Sequence, residues 1–407
     1  MVTKTSYTPT ATSAPTPTPY RASSLAAMAS PASLPGPTGD QPFTRDPGQS
    51  FTMPARFYTD PQVLSDETQA IFYKTWHYAG HVSQVAEPKS YFTTQIQDQS
   101  IFIARGDEGT LRAFYNVCAH RGHELLQGQG RKAVITCPYH AWSFGFDGAL
   151  INARNSENVA GFNKCDFALK EVRLEVFCGL VLINLDPEAQ PFAEQFAGLE
   201  AEIRSYMPRV DELAMAQRDT FDVAANWKVL IDNFLECYHC APAHQDFVDL
   251  VDMKSYRTIT HKRYSSQCAA APRTKDSRAF SFEVGDVDFG YAGFFVWPNF
   301  TIWIYPGEPN LSVLQMNPSG PETTREYQDW FTLGGTLSPQ LKEAVEYQRD
   351  VLQPEDIGLC ESVQRGLKSL GYNQGRFIVD EGKTELSEHA VHHFQLMVME
   401  ALGQEID

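Results

Sequence analysis

The sequence predicts an α+β protein in which a small all-β domain precedes a larger domain of antiparallel strands and helices. Between about residues 90 and 184, apolar and polar residues alternate in short segments, and turns containing Gly and Asp separate these segments. After Pro187, apolar residues at helical spacing alternate with aromatic, strand-like runs. With 407 residues, 43% of them hydrophobic, the chain is long enough for two domains.

Residues 1–45 differ from the rest of the chain because they are rich in Ser, Thr, Pro and Ala, and their first acidic residue is Asp40. Such a segment buries too little apolar surface to offset its ordering entropy, so we predict a disordered tail. A transit peptide is also Ser-rich and poor in acids, but it usually carries more Arg than the single Arg21 found before Asp40. We therefore expect a cytoplasmic protein, with organelle targeting by residues 1–45 as the alternative.

The first folded domain is predicted to span residues 46–185. Ser65 is a candidate N-cap for a helix that runs to Trp76, because Asp66 and Glu67 fall in its first turn. Period-two segments follow, and these predict a set of short strands. The predicted strands are Tyr91–Ile96, Ser100–Arg105, Leu111–Val117, Val134–Thr136, Trp142–Phe146 and Leu180–Asn184.

The second domain is predicted to span residues 186–407. Aromatic and β-branched residues predict strands over Phe294–Tyr305 and onwards to Leu333. Apolar residues at helical spacing predict helices before and after these strands. The predicted helices are Phe192–Tyr206, Asn226–Cys240, Pro339–Leu352, Asp356–Leu367 and Ser387–Leu402.

The net charge of −17 limits the classes of partner. Nucleic acids and anionic membrane surfaces require basic patches, so we expect neither as a partner. No apolar run approaches the roughly 20 residues that a membrane-spanning helix needs. An acidic chain is compatible with a small cationic substrate.

The first metal-binding pattern is Cys118-x-His120 followed, after sixteen residues, by Cys137-x2-His140. Two Cys and two His can bind zinc. However, a C-x-H half is unusual for a zinc finger, both halves have the same order, and the pattern lies in a β-domain of a long chain. A Rieske centre has two Cys on one iron and two His on the other. We therefore predict a Rieske 2Fe–2S cluster bound by these four residues.

The second pattern is Glu236-x2-His239 followed by His244. On a helix, positions 236 and 239 share a face. Two His and a carboxylate form the ligand set of non-haem Fe(II) oxygenases, which leaves positions open for O₂ and substrate. An isolated His pair is more often an ordinary surface feature, but an upstream one-electron carrier needs an acceptor. For Cys237 and Cys240, which flank His239, we expect packing in the core rather than zinc binding or a redox disulfide.

Longer segments around both patterns resemble the Rieske oxygenases. Residues 116–142 resemble their Rieske domain, residues 226–244 resemble their catalytic helix, and residues 353–367 resemble the segment that supplies their third iron ligand. The resemblance implies a catalytic domain of the helix-grip type with a mononuclear Fe(II). It implies that His239, His244 and Asp356 are the ligands of this iron.

The resemblance also implies an assembly. Glu236 matches the acid that, in the family, connects an iron-ligating His to a cluster-ligating His of the neighbouring subunit, here His140. The implied assembly is a head-to-tail homotrimer in which the cluster of one subunit serves the iron of the next. The sequence has neither a G-x-G-x-x-G fingerprint nor a flavin motif. We therefore expect electrons to come from a separate NAD(P)H-dependent reductase.

The substrate prediction depends on finer similarities. Across residues 55–402 the chain resembles most closely the oxygenases of quaternary ammonium compounds, of the carnitine, choline and glycine betaine type. It shares with them ECYHC at 236–240 and ESVQRGL at 361–367, including Glu rather than Asp at position 236. Aromatic faces attract quaternary ammonium groups, although ordinary core packing is the alternative for any one of these residues. The predicted pocket residues are Phe295, Trp297, Trp303 and Tyr305.

The sequence thus predicts the oxygenase component of a two-component Rieske monooxygenase, which hydroxylates a C–H bond of a quaternary ammonium compound with O₂. An aromatic or ether substrate is the alternative within the same class of enzyme. A pure electron carrier or a zinc-stabilised binding protein is the alternative from another class. The presence of His239, His244 and Asp356 argues against that last interpretation.

Overall fold

The computed structural model of the protein describes residues 40–270, 277–282 and 290–407. In the first half of this part of the chain, all strand pairs are antiparallel. The larger sheet has the strand order β1-β10-β9-β4-β3-β2-β5, and the smaller sheet has the order β6-β7-β8. The strands are β1 (His77–His81), β2 (Ser90–Ile96), β3 (Gln99–Arg105), β4 (Leu111–Tyr115), β5 (Gln129–Arg131), β6 (Ile135–Thr136), β7 (Ser143–Phe144), β8 (Leu150–Asn152), β9 (Glu171–Phe177) and β10 (Leu180–Asn184).

A second antiparallel sheet dominates the second half, with the strand order β11-β17-β16-β15-β14-β13-β12. Its strands are β11 (Leu213–Val223), β12 (Arg257–Thr260), β13 (Tyr264–Ala269), β14 (Tyr291–Val296), β15 (Phe300–Ile304), β16 (Asn310–Gly320) and β17 (Thr323–Leu333). Together with the helices described next, the two halves confirm the predicted α+β fold class.

The helices of the described residues lie mainly in the second half. They are α1 (Pro61–Glu67), α2 (Phe192–Gln195), α3 (Leu199–Tyr206), α4 (Trp227–Phe234), α5 (Cys240–Ala243), α6 (Gln245–Leu250), α7 (Pro339–Tyr347), α8 (Gln353–Gly366) and α9 (His389–Ala401). Helix α4 packs against α8, α9 and strand β16. The helices therefore cover one face of the large sheet, and the residues of the second metal pattern, 236–244, fall between α4 and α6.

The start of α1 differs from the prediction. Asp60, rather than Ser65, is the N-cap, and its carboxylate accepts a hydrogen bond from the Gln62 backbone N–H at 2.8 Å. Pro61 then occupies the first helical position, where a missing N–H has no cost. The Asp60-Pro61 pair is therefore a stronger start signal than Ser65, and the predicted N-cap was wrong. A π-helical turn, Thr68–Phe72, continues the helix.

The predicted helix Asn226–Cys240 is also corrected, since α4 ends at Phe234. Asn226 caps its start as expected, accepting from the Lys228 N–H at 3.0 Å. At the other end, the Phe234 carbonyl accepts a hydrogen bond from the Gln267 side chain at 2.7 Å. This contact with β13 satisfies a carbonyl that the helix end leaves free. Position 236 therefore lies beyond the end of α4, and not on a helical face.

The N-terminal segment makes contacts earlier than predicted. Phe43 is buried, its ring stacks on His392, and its carbonyl accepts from the Asp407 N–H at 3.1 Å. These contacts involve the last residues of the segment 1–45, which was predicted to be a tail, whereas residues 1–39 lie outside the described residues. The boundary between residues 185 and 186 remains a prediction, and it falls between β10 and α2.

Asp329 of β17 connects the two halves of the structure. Its fully buried carboxylate accepts from Arg218 Nε and Nη2, both at 2.6 Å, and from the Tyr78 hydroxyl of β1 at 2.5 Å. We expect Asp329→Asn to lower the free energy of unfolding by about 2 kcal/mol, because an amide N–H₂ then faces the guanidinium of Arg218. Urea-induced unfolding followed by tryptophan fluorescence measures the change.

The same two strands offer a matched control for this prediction. Asp222 of β11 and Arg325 of β17 form an ion pair at 2.7 Å, but both side chains are exposed. Because exposed ion pairs contribute little, Asp222→Asn should leave the unfolding midpoint unchanged. An equal loss of stability in both variants would contradict the role assigned to the buried Asp329.

Candidate metal centres

The predicted cluster residues lie on two turns with the same construction. The Cys118 N–H donates to the His123 carbonyl, and the Cys137 N–H donates to the Trp142 carbonyl, both at 2.8 Å. Each turn is closed by a residue with positive φ, namely Gly122 (φ 73°) and Ala141 (φ 59°). Both cysteine side chains are buried. The two turns thus provide equivalent positions for one Cys and one His each.

The imidazoles of these turns meet at the surface. The ring centroids of His120 and His140 lie 4.8 Å apart, and His120 stacks on Trp142 at 4.6 Å. Within the described residues, the buried His140 Nδ1 has no hydrogen-bond partner. Such an orphaned ring nitrogen is costly unless it binds something. Two buried thiols and an orphaned imidazole nitrogen fit the donor set of a Rieske cluster.

The predicted iron residues converge on one point, although 112 residues separate His244 from Asp356. His239 Nε2 lies 3.1 Å from His244 Nε2, and Asp356 Oδ1 lies 2.9 Å from His244 Nε2 and 3.5 Å from His239 Nε2. His239 immediately precedes α5, His244 lies between α5 and α6, and Asp356 belongs to the first turn of α8. Two nitrogens and a carboxylate oxygen at this separation suit a single metal ion.

A carboxylate contacts the outer nitrogen of each histidine. Glu236 Oε1 lies 2.5 Å from His239 Nδ1, and Glu355 Oε2 lies 2.7 Å from His244 Nδ1. When Nδ1–H donates a hydrogen bond to a carboxylate, the lone pair of a neutral ring is on Nε2 and is available to a metal. The two carboxylates therefore favour, in both rings, the tautomer that a metal requires. Glu355 was not predicted, because its only local signal in the sequence is its position directly before Asp356.

Asn233 orients the Asp356 carboxylate, because its Nδ2 donates a hydrogen bond to Asp356 Oδ1 at 2.7 Å. Burial by itself raises the pKa of Asp356, but the adjacent imidazoles of His239 and His244, which are protonated when no metal is bound, outweigh it and lower the pKa below its usual value. The carboxyl group is therefore ionised, as metal coordination requires. Asn233 was also missed, because nothing in its sequence context separates it from other polar residues at the end of a helix.

The turn that carries His239 is closed by a disulfide between Cys237 and Cys240. The prediction that Cys237 and Cys240 are packed thiols is therefore wrong. The turn after α4 brings the two Cα atoms to 4.9 Å, within the range that a disulfide needs. Both residues are also buried, which is why they resemble core cysteines in the sequence.

A cavity opens beside the three converging residues, between the helices and the large sheet. Strands β14 and β15 contribute Tyr291 and Trp303, whose ring centroids lie 6.1 Å apart. The adjoining segments contribute three further aromatic rings to its wall, which are Phe234, Phe247 and Tyr256. The cavity is therefore mainly apolar, with five aromatic rings in its wall and the candidate metal site on one side.

Only one of the four predicted pocket residues, Trp303, lies on this wall. Phe295 and Trp297 pack against Phe394 of α9, with ring centroids 5.5 and 6.0 Å away. Phe295 shares its strand face with Tyr291, but it lies about 13 Å further along β14, where α9 covers the sheet. The hydroxyl of Tyr305 donates to Gln348 behind the cavity wall. The pocket interpretation is corrected for these three residues.

A buried acid, Glu326 of β17, also lines the cavity. Its Oε2 accepts from Gln353 Nε2 at 2.5 Å. Burial, and next the nearby Asp356 carboxylate, raise the pKa of Glu326 to about 8. Glu326 was not predicted to line the site, because an acid in a period-two strand is normally assigned to the solvent side.

A second cavity lies next to Glu236, which lines both cavities. Burial raises the pKa of Asp232 in its wall to about 7. The Tyr58 hydroxyl donates to this carboxyl at 2.6 Å. Exposed apolar side chains line the mouth of the cavity on α8 and after it, namely Leu359, Val363 and Tyr372.

Comparison with known proteins assigns the family. Residues 75–163 match the Rieske [2Fe-2S] domain, and residues 210–404 match the ring hydroxylating alpha subunit (catalytic domain). The chain is 43% identical over 354 residues to the carnitine monooxygenase oxygenase subunit of Escherichia coli (strain K12), which covers 86% of this chain and 94% of that protein. The chain belongs to the Rieske oxygenase family. This oxygenase therefore has a Rieske 2Fe–2S cluster and a mononuclear iron as cofactors, and it is a Rieske non-haem iron monooxygenase that works with a reductase.

A further relative and a solved structure support the same family assignment. The chain is 32% identical over 360 residues to the chloroplastic choline monooxygenase of Amaranthus tricolor, covering 87% of this chain and 78% of that protein. A solved structure of a quaternary ammonium Rieske monooxygenase, described for carnitine oxidation and inter-subunit electron transfer, superimposes with a TM-score of 0.83 at 38% identity. It covers 88% of this chain and 97% of that one. Among the helices of the described residues, none has the length and apolar character needed to cross a membrane.

Proposed function

We propose that this oxygenase hydroxylates a C–H bond of a quaternary ammonium compound of the carnitine, choline or glycine betaine type. The observation that carries the proposal is a cavity that combines five aromatic rings, one buried carboxylate and the candidate iron site. Aromatic faces and a carboxylate both attract an organic cation, whereas the carboxylate repels an anionic aromatic acid. The similarity to carnitine and choline monooxygenases supports the same substrate class.

We assign the cluster to Cys118, His120, Cys137 and His140, and the mononuclear iron to His239, His244 and Asp356. The bound iron supplies the activation of O₂. The protein residues around it act by position: Glu236 and Glu355 fix the tautomers of the two histidines, and Asn233 orients the Asp356 carboxylate. The apolar wall would exclude water and hold the substrate in the cavity that the iron-binding residues line.

For electron delivery we propose a homotrimer that receives electrons from a separate NAD(P)H-dependent reductase, in the cytoplasm. His120 and His140 lie at the surface of their own subunit, so a neighbouring subunit can reach them. The second cavity, with Glu236 at its base and exposed apolar residues at its mouth, offers the complementary surface. The inter-subunit electron transfer described for the related solved structure supports this arrangement.

Oxygen consumption by the full-length protein with both cofactors tests the proposed function. With an NAD(P)H-dependent Rieske reductase, we expect carnitine, choline or glycine betaine to stimulate O₂ uptake and to yield a hydroxylated or cleaved product by mass spectrometry. Benzoate serves as the matched anionic control, and we expect no stimulation by it. Product formation from benzoate but from none of the trimethylammonium compounds would replace the proposal with an oxygenase of aromatic substrates.

A further inference from the structure

Three acidic residues line the substrate cavity, and Glu326 is the one that has no role in the iron site. It belongs to β17, where it pairs with Phe221 of β11 and with Met316 of β16. Its side chain is directed to the helix-covered face and lines the cavity with only 1% of the residue exposed. A carboxylate so deeply buried is expensive unless a positive charge or several donors stabilise it.

The protein itself supplies little stabilisation for this carboxylate. Its hydrogen bond comes from the neutral amide of Gln353, whose own Oε1 lies 3.5 Å from Gln348 Nε2. Among the described residues that line the cavity there is no Lys or Arg, and no ion pair involves Glu326 in the described part of the chain. The raised pKa of this carboxyl group has the same cause, since burial without a cation disfavours its ionised form.

The position of Glu326 relative to the iron site suits a small ligand. Gln353, which holds Glu326, lies one helical turn before Asp356 on α8, which corresponds to about 4.5 Å along the helix axis. The aromatic rings of Tyr291 and Trp303 belong to the same cavity wall. A cation placed between the rings and Glu326 would therefore lie in the same cavity as His239, His244 and Asp356.

We propose that Glu326 is the anionic anchor of the substrate, pairing with its ammonium group and thereby determining the specificity of the cavity for small organic cations. This inference rests on the proposed function and names the residue that selects the substrate. Glu326 lies outside the metal ligands, so it acts on substrate binding rather than on iron binding. The aromatic rings provide the shape of the site, and the carboxylate provides the preference for charge.

Binding of tetramethylammonium to the full-length protein with both cofactors, under anaerobic conditions, tests this inference by calorimetry. Neutral tert-butanol, which has a similar shape, reports whether the cavity is intact. We expect Glu326→Gln to weaken tetramethylammonium binding by roughly 30-fold or more, and to leave tert-butanol binding unchanged. Glu326→Asp, which keeps the charge, should retain a preference for the cation over tert-butanol.

Glu322→Gln is the matched control, because it removes one negative charge just before the same strand, where Glu322 pairs with Lys368 outside the cavity. It should bind tetramethylammonium as the wild type does. An undiminished preference for the cation in Glu326→Gln, or none in the wild type, overturns the inference. If Glu326→Gln loses both ligands, Glu326→Asp decides: a retained cation preference supports the anchor, and a lost one overturns it.

Turnover separates this inference from the proposed function. If the wild type oxidises a trimethylammonium compound and Glu326→Gln keeps the same KM, the anchor is wrong and the proposed function stands. If the wild type binds tetramethylammonium through Glu326 but oxidises no trimethylammonium compound, the proposed function is wrong and the anchor stands.

Discussion

Replacing Asp356 by Ala is expected to remove the mononuclear iron and to reduce substrate-dependent O₂ uptake by at least about a thousandfold. Asp356 Oδ1 is the carboxylate oxygen that lies beside both His239 Nε2 and His244 Nε2. Without it, two neutral imidazoles remain as ligands, and the site loses the charge that holds a divalent cation. Metal analysis should show the loss of one iron per chain, and the electron paramagnetic resonance signal of the reduced cluster should persist.

The neighbouring Glu355 provides the control for this substitution. It lies on the same helix but contacts His244 Nδ1 instead of the proposed iron position. We expect Glu355→Gln to weaken iron affinity by roughly 10- to 100-fold, so that added Fe(II) restores activity. Added Fe(II) should not restore Asp356→Ala. If Asp356→Ala keeps its iron and its O₂ uptake, the ligand assignment is incorrect.

The cluster residues were the part of the site most accessible from the sequence. The order Cys then His in both halves limited the choice to a Rieske centre or zinc, and the structure places both halves on equivalent turns. Asp356 was different, because 112 residues separate it from His244 and its role followed only from resemblance. Local spacing contains no information about such long-range convergence.

Errors in the prediction arose where tertiary contacts decide local structure. Helix α4 ends at Phe234 because the side chain of Gln267, from a distant strand, satisfies its carbonyl. The side chains of Phe295 and Tyr291 project from the same face of β14. However, α9 packs against Phe295, whereas Tyr291 lines the cavity. Glu326 resembles a surface acid until the sheet is known to have helices on that face. Each of these outcomes depends on how the helices and strands pack against one another, which the periodicity of the sequence does not determine.

Replacing Glu236 by Gln is expected to slow turnover by about a hundredfold or more even when Fe(II) is saturating and both metal centres are loaded. Glu236 accepts from the His239 backbone N–H at 3.0 Å and contacts His239 Nδ1, and it is the acidic residue that lines both the substrate cavity and the second cavity. In the proposed trimer this second cavity receives His140 of a neighbouring copy. A neutral amide weakens the charge-assisted connection between the two histidines. Rapid mixing of the reduced protein with substrate and O₂ should show slow reoxidation of the cluster.

Comparison with Glu355→Gln distinguishes an electron-transfer role of Glu236 from a purely orienting one. Both carboxylates contact the outer nitrogen of an iron histidine, but only Glu236 also lines the second cavity. If Glu236 connects the subunits, Glu236→Gln slows cluster reoxidation even when iron is saturating, whereas Glu355→Gln reoxidises at the wild-type rate once iron is restored. Glu236→Asp should fall between the wild type and Glu236→Gln, because it keeps the charge and shortens the reach by one methylene. Identical behaviour of the two Gln variants at saturating iron would limit Glu236 to orienting His239, and the path between subunits would then run through another residue.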